Sequence, residues 1–281
     1  MSKFTSYITR FAELITLRVQ NTYGRQPVLS AEGPVVSLTT HGPRTQNVYL
    51  TLESIARGTQ KPSRLILWLD NPAIFKALPK TLTRLIARGL EVRLCENFGP
   101  HTKYFPYVEM SADFSAPLVT ADDDILYPAY WLDTLHHAHL QQPQYIHCFR
   151  ARTITFQGDT LAPYKKWLLT QTDTPSLAHI ATGVSGTLYP PAFLSILKQA
   201  GRGFIDITLK NDDLWLHMNA VKHGVLTHQL FAKSRHFEVT PSSQKYGLLH
   251  QNFEQNLNDR YILATYQAPE IARIRSALGL A

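Results

Sequence analysis

Val35-Val36-Ser37-Leu38-Thr39 is a β-branched run, and Arg64-Leu65-Ile66-Leu67-Trp68-Leu69 and Glu91-Val92-Arg93-Leu94-Cys95 follow it as further short runs. Thr45 to Arg57 between the first two, and Phe75 to Arg88 between the second and third, carry apolar residues at helical spacing. Three strands joined by two helical crossovers predict a parallel sheet with helices on both faces, an α/β, Rossmann-like fold. Pro117-Leu118-Val119-Thr120 reads as the next strand, followed by a helix from Trp131 to Leu140 and a strand from Tyr145 to Arg150. After about Arg152 the alternation weakens; helices are expected at Ala192 to Ala200 and Asp213 to His223, and in the tail at Pro269 to Leu278.

Working back from that core, Lys3 to Val19 places Phe4, Tyr7, Ile8, Phe11, Leu14 and Ile15 at helical spacing among Lys3, Arg10 and Arg18. This predicts a basic amphipathic helix, which either packs on the domain or docks on an anionic membrane surface. A Gly- and Pro-containing linker from Tyr23 to Pro34 follows. The expected organisation is a helical extension over residues 1–30, one domain over 31–265 and a C-terminal helix or tail over 266–281.

The chain has 281 residues, 44% hydrophobic and 17% charged, enough apolar material for a full core, which excludes disordered, collagenous and coiled-coil classes. Its two cysteines, Cys95 and Cys148, form neither a disulfide framework nor a CxxC zinc pair, pointing to a reducing compartment. Apolar runs fall far short of the roughly 20 residues that cross a bilayer, and the start of the chain lacks the pattern of a secretory signal. A cytoplasmic location is expected, with peripheral contact at the inner membrane face if the basic helix docks. The net charge of +7 favours anionic partners, but the basic residues are scattered, so nucleic acid is not expected as one.

The most informative stretch is Thr120-Ala121-Asp122-Asp123-Asp124-Ile125-Leu126-Tyr127-Pro128, three carboxylates at the end of a predicted buried strand. Crowded carboxylates raise one another's pKa unless a cation sits among them, and ligands of open α/β sheets bind at strand carboxyl ends. A divalent-metal site is favoured over a solvated acidic turn. Asp212-Asp213 opens a later helix, either as first-turn acids or as a general base on an acceptor hydroxyl. Gly183-Val184-Ser185-Gly186 has small residues that let backbone approach a ligand, or simply turn tightly into a strand. In Gly99-Pro100-His101-Thr102-Lys103-Tyr104, Lys103 can act as a point charge for phosphate.

Taken with Val36-Ser37-Leu38-Thr39-Thr40-His41-Gly42-Pro43-Arg44 and Leu65 to Leu69, these motifs, in order from about Val35 to Asp259, resemble a family of bacterial GT-A-type glycosyltransferases of capsule and lipopolysaccharide loci, family-2-like with a DxD motif. The resemblance implies a nucleotide-sugar donor bound at the carboxyl edge of the sheet and Mn²⁺ or Mg²⁺ on Asp124, shared with Asp122. It implies Thr40, Arg44, Asp70, Lys103, Asp122 and Asp123 as donor-binding residues, and Gly183, Ser185 and Gly186 as a loop facing donor sugar or acceptor. Asp213, ahead of Asp212, is implied as catalytic base in an inverting transfer to a hydroxyl of a surface glycan or lipid-linked glycan. Such enzymes often recruit a later histidine to the metal; His223, His228, His236 and His250 are candidates and none is singled out. Gln244, Asn252, Asn258 and Asp259 are similar to the family's ending, without an assigned role.

Two alternatives share these residues. A nucleotidyltransferase or sugar-phosphate transferase would carry the same carboxylates and cations, although no GxxxxGKS loop occurs. A non-catalytic nucleotide- or glycan-binding module would need only the binding residues.

Overall fold

The β-branched runs lie side by side in a computed structural model of the chain, which describes residues 3–241 and 257–280, with side chains from Arg10 onward. Gln244, His250 and Asn252, and the side chains of Phe4, Tyr7 and Ile8, lie outside the described residues. Strand β1 (Val35–Thr39) pairs in parallel with β2 (Arg64–Leu69), which pairs in parallel with β3 (Glu91–Leu94). On its other side β1 pairs in parallel with β4 (Leu118–Ala121). Beyond β4 the sheet continues through Thr187–Tyr189 and Ile146–Cys148 to Thr227–Gln229, giving seven strands.

Thr187–Tyr189 runs antiparallel to both neighbours, so Ile146–Cys148 again points the same way as β4. The fold is therefore α/β, with a mostly parallel central sheet flanked by helices. Because the chain leaves β1 toward β2 and β3 and then crosses back to β4, the order reverses between β1 and β4. That reversal opens a crevice at their carboxyl ends.

Side chains alternate across the sheet as a two-residue period demands. Val36, Leu38, Leu65 and Leu67 pack with Leu52 and Ile55 of helix α2 (Val48–Ala56), and with Trp131. Val35, Ile66 and Trp68 pack on the other face with Phe105, Phe193 and Trp215. Ser37 would leave a buried hydroxyl among them. It accepts the Trp68 indole N–H at 2.9 Å and donates to the Lys103 carbonyl at 2.7 Å.

Several expected elements differ in detail. The helix expected from Phe75 to Arg88 is two, Pro72–Lys76 and Lys80–Ile86. Pro79 stands at the break, where it disfavours helical backbone at Leu78 and brings no N–H of its own. The strand expected from Tyr145 to Arg150 is shorter; Ala151–Thr153 leaves the main sheet to join Leu168–Leu169 and His179–Ala181. The first helical stretch opens as a 3-10 turn, Gly42–Gln46, which brings Arg44 over the end of β1.

The N-terminal helix α1 (Lys3–Tyr23) packs along α2 on a stripe that keeps Leu14 of the expected apolar positions and turns Phe11 and Ile15 out. Leu14 and Leu17 are buried against Leu50 and Leu126, while Phe11 and Ile15 face outward. The buried line continues to Asn21, whose amide donates to the fully buried Glu53 carboxylate of α2 at 3.0 Å. Glu53 also takes the Arg88 guanidinium at 2.6 Å. A buried acid with two donors fixes which face of α1 turns inward. No described helix is long and apolar enough to cross a membrane.

Candidate functional site

Thr40, just past β1, donates its hydroxyl to Asp123 Oδ2 at 2.5 Å, tying the ends of β1 and β4 together. Arg44 reaches over from the 3-10 turn, with Nη2 2.5 Å from Asp123 Oδ1 and 2.6 Å from Asp124 Oδ2. The backbone of this acidic turn is held as well. Thr51 of α2 donates to the Asp123 carbonyl at 3.0 Å, and the Asp122 N–H donates to the buried Tyr127 hydroxyl at 2.9 Å. Burial pushes the Asp123 carboxyl up to about 6, against the pull of Arg44 and the Thr40 hydrogen bond. Asp123 is thus the buried strut of the turn, while Asp122 and Asp124 keep more of their side chains open to solvent.

A second cation ties this turn to the later acidic pair. Lys103 Nζ lies 2.9 Å from Asp122 Oδ1 and 3.4 Å from Asp212 Oδ2. Burial alone would lower its pKa, but the charges of Asp122, Asp212 and Asp213 hold it well above the usual lysine range. Its loop is anchored by Ser37 and by His101, which is buried and stacked on Phe204 at 4.1 Å. His101 Nε2 donates to the Thr208 carbonyl, leaving Nδ1 to accept from the Tyr104 hydroxyl. Burial lowers its pKa to about 4, so it is a neutral packing residue.

Asp212 and Asp213 stand in the first turn of helix Asp212–His223. Asn211 caps that helix through the Leu214 N–H and is itself steadied by a 2.9 Å bond to Asn258. With the cap supplied, both aspartates are free to face Lys103. Asp213 Oδ1 accepts the Gly183 N–H at 3.1 Å. Burial, then the neighbouring Asp212 charge, raises the Asp213 carboxyl to about 7, with Lys103 pulling the other way.

Gly183 belongs to this cluster: a Cβ there would stand 3.3 Å from Lys103 Nζ and 3.4 Å from Asp213 Oδ1. Ser185 and Gly186 turn toward the core instead. The Ser185 hydroxyl donates to the Arg235 carbonyl and its own carbonyl accepts the Trp131 indole N–H at 2.9 Å. Asp70, past the end of β2, accepts from Asn97 at 2.6 Å and touches neither Arg44 nor Lys103. Asp259 accepts the Tyr164 N–H at 2.7 Å.

Arg150, which the sequence marks only as the end of a strand, stands at the same edge. It lies two residues past Ile146–Cys148, and its Nη1 is 2.5 Å from the Thr182 hydroxyl. Its position at the end of a predicted strand was the available signal.

Among the described residues no three His, Cys, Asp or Glu side chains gather into a metal-holding group. Asp122 and Asp124 remain as a two-carboxylate oxygen set, and Mg²⁺ asks for little more when substrate phosphates complete its shell. Five carboxylates, Asp122, Asp123, Asp124, Asp212 and Asp213, gather around Arg44 and Lys103 in the crevice.

No family model and no curated protein matches the chain. Solved structures with a similar fold include a CMP:2-keto-3-deoxy-manno-octonic acid synthetase complexed with CTP, at 12% identity over 80% of this chain and 99% of that one, TM-score 0.42. They include a 4-diphosphocytidyl-2C-methyl-D-erythritol synthase from Anaerococcus prevotii, at 11% identity, 81% and 98% coverage and TM-score 0.47. An inositol-1-phosphate CTP transferase from T. maritima covers 90% of this chain and 99% of its own at 10% identity, TM-score 0.43. At such identities the likeness concerns the fold alone. The expected transfer of a sugar from a nucleotide-sugar to a bacterial surface glycan is corrected on this finding. The neighbours are nucleotidyltransferases by name, and no family model carries the capsule and lipopolysaccharide resemblance.

Proposed function

We propose that the chain is a nucleotidyltransferase that binds a nucleoside triphosphate in the crevice between β1 and β4. The observation that carries this reading is Lys103, a buried cation joining Asp122 at the end of β4 to Asp212 beside the raised Asp213 carboxyl. It brings a phosphate-binding charge and a base into one place at the fold's ligand-binding edge.

In this reading Arg44 and Lys103 turn from their carboxylate partners to the triphosphate oxygens, where oriented cations stabilise charge in the transition state. A divalent cation held by Asp122 and Asp124 would supply further positive charge to the polyphosphate. An acceptor oxygen forms a bond to the α-phosphorus while the bond from that phosphorus to the bridging oxygen breaks. Pyrophosphate leaves with the electron pair. Asp213 takes the proton of the acceptor hydroxyl, and its pKa near 7 suits a general base at neutral pH.

The test is a thermal-shift panel of ATP, CTP, GTP and UTP, each with and without Mg²⁺, on the wild type and on Lys103→Met. A triphosphate at about 100 times its Kd adds roughly 2.7 kcal/mol. One triphosphate is expected to stabilise the wild type in the presence of Mg²⁺ and to leave the variant unmoved. Four triphosphates without effect on the wild type overturn the reading.

A further inference from the structure

Arg150 is a mostly buried cation whose side-chain hydrogen bonds go to uncharged groups. Its Nη1 lies 2.5 Å from the Thr182 hydroxyl, and its Nε donates to His236 Nε2 at 3.4 Å. It forms no ion pair among the described residues. Burial and then the neighbouring Arg152 push its pKa below the ordinary guanidinium value, with Tyr164 and Asp213 pulling the other way. Arg152 likewise lacks a carboxylate partner among the described residues. It donates to the Trp167 carbonyl at 2.6 Å and lies over the Tyr164 ring at 5.4 Å. Burial and then Asp213 raise the Tyr164 phenol to about 12, so it remains an O–H donor.

The cluster adjoins the proposed base. One peptide joins them: Thr182 holds Arg150 through its hydroxyl, and the N–H of the next residue, Gly183, holds Asp213. Arg150 also lies on the same edge of the sheet as Asp122, because Ile146–Cys148 runs in the direction of β4. Two guanidinium groups with no carboxylate in ion-pair contact among the described residues stand beside site cations that carboxylates already match, an arrangement that suits an added anion. A fork of planar donors suits phosphate geometry.

We propose that Arg150, with Arg152, binds a phosphate monoester group of the acceptor, holding its nucleophilic oxygen beside Asp213. The acceptor role rests on the nucleotidyl-transfer reading; the anion site itself does not. The phosphate here is bound and not attacked, so the transfer step keeps the balance given above. The side chains proposed for this anion differ from Arg44 and Lys103, which the nucleotidyl-transfer reading gives to the triphosphate.

The probe is phenyl phosphate, titrated by calorimetry into the wild type, Arg150→Met, Arg150→Lys and Lys103→Met, each first checked for a wild-type-like melting transition. Arg150→Met is expected to weaken phenyl phosphate at least tenfold. Arg150→Lys, which keeps the charge and loses the fork, is expected to fall between it and the wild type, and Lys103→Met to stay within about twofold of the wild type. Binding by Arg150→Met at wild-type affinity overturns the proposal. So does an equal loss in Lys103→Met, which would place the anion on the triphosphate cations. If Arg150→Met misfolds, the comparison of Arg150→Lys with Lys103→Met decides by the same criteria. A phosphate site lost only on changing Arg150, in a protein that no triphosphate stabilises, supports the anion site while the nucleotidyl reading fails. A protein stabilised by a triphosphate but indifferent to Arg150 does the reverse.

Discussion

The N–H of Gly183 donates to Asp213 Oδ1 at 3.1 Å, a backbone hydrogen bond to a carboxylate whose pKa stands near 7. A base must be ionised to accept a proton, so if Asp213 is the base of the proposed nucleotidyl transfer, the rate should rise with pH through about 7 and level above it. Asp213→Asn is expected to lower the rate by roughly 10²–10⁴-fold and to remove that limb. A rate profile of the variant that keeps the limb, measured by pyrophosphate release, would assign it to another group.

The same carboxyl makes stability pH-dependent. Its folded pKa, about 7, lies above the ordinary value of 3.8, so between those values the folded chain holds a proton that the unfolded chain has lost. Its contribution is complete below about pH 4, declines as pH rises and is lost above about pH 7. Asp213→Asn, which keeps the neutral form, should therefore raise Tm relative to the wild type more at pH 8 than at pH 5. A difference that grows toward acid pH would reverse the sign and refute the assignment.

Gly186 has a φ of +87°, and a Cβ there would lie 2.5 Å from the Trp131 ring. Backbone strain and overpacking each cost about 1–3 kcal/mol. Gly186→Ala should shift the urea midpoint downward by the equivalent of about 3 kcal/mol, whereas Gly158→Ala, also at positive φ but with no atom within 4 Å, should show the backbone part alone.

The buried pair Glu53 and Arg88 gives a fourth expectation. Arg88→Met leaves the Glu53 charge with only the Asn21 amide, and loss of one partner of such a pair costs about 3–5 kcal/mol. Replacing both as Glu53→Leu with Arg88→Met should cost less than the single change at Arg88. Denaturation curves that show the two changes adding independently would deny the coupling.

The sheet was legible because β1, β2 and β4 are covered on both faces, which writes them as nearly unbroken apolar runs. The acidic turn was legible as a strand end. Its internal division was not: which carboxylate is buried depends on Thr40 and Arg44, both distant in sequence from Asp123. The reversed direction of Thr187–Tyr189 was equally hidden, since three residues carry no record of which way a strand runs. On α1 the spacing favoured Phe11 and Ile15, and the outcome was set by Glu53, which draws Asn21 inward and rotates the helix with it.

The bond from Ser37 to the Lys103 carbonyl has a consequence for ligand affinity. The loop bearing the site's central cation is stitched to the middle of the sheet before any ligand arrives, so little chain entropy remains to be lost on association. Binding enthalpy at Lys103 can then appear almost undiminished as affinity, and cutting that tether with Ser37→Ala should be felt more in the entropy of binding the proposed triphosphate than in its enthalpy.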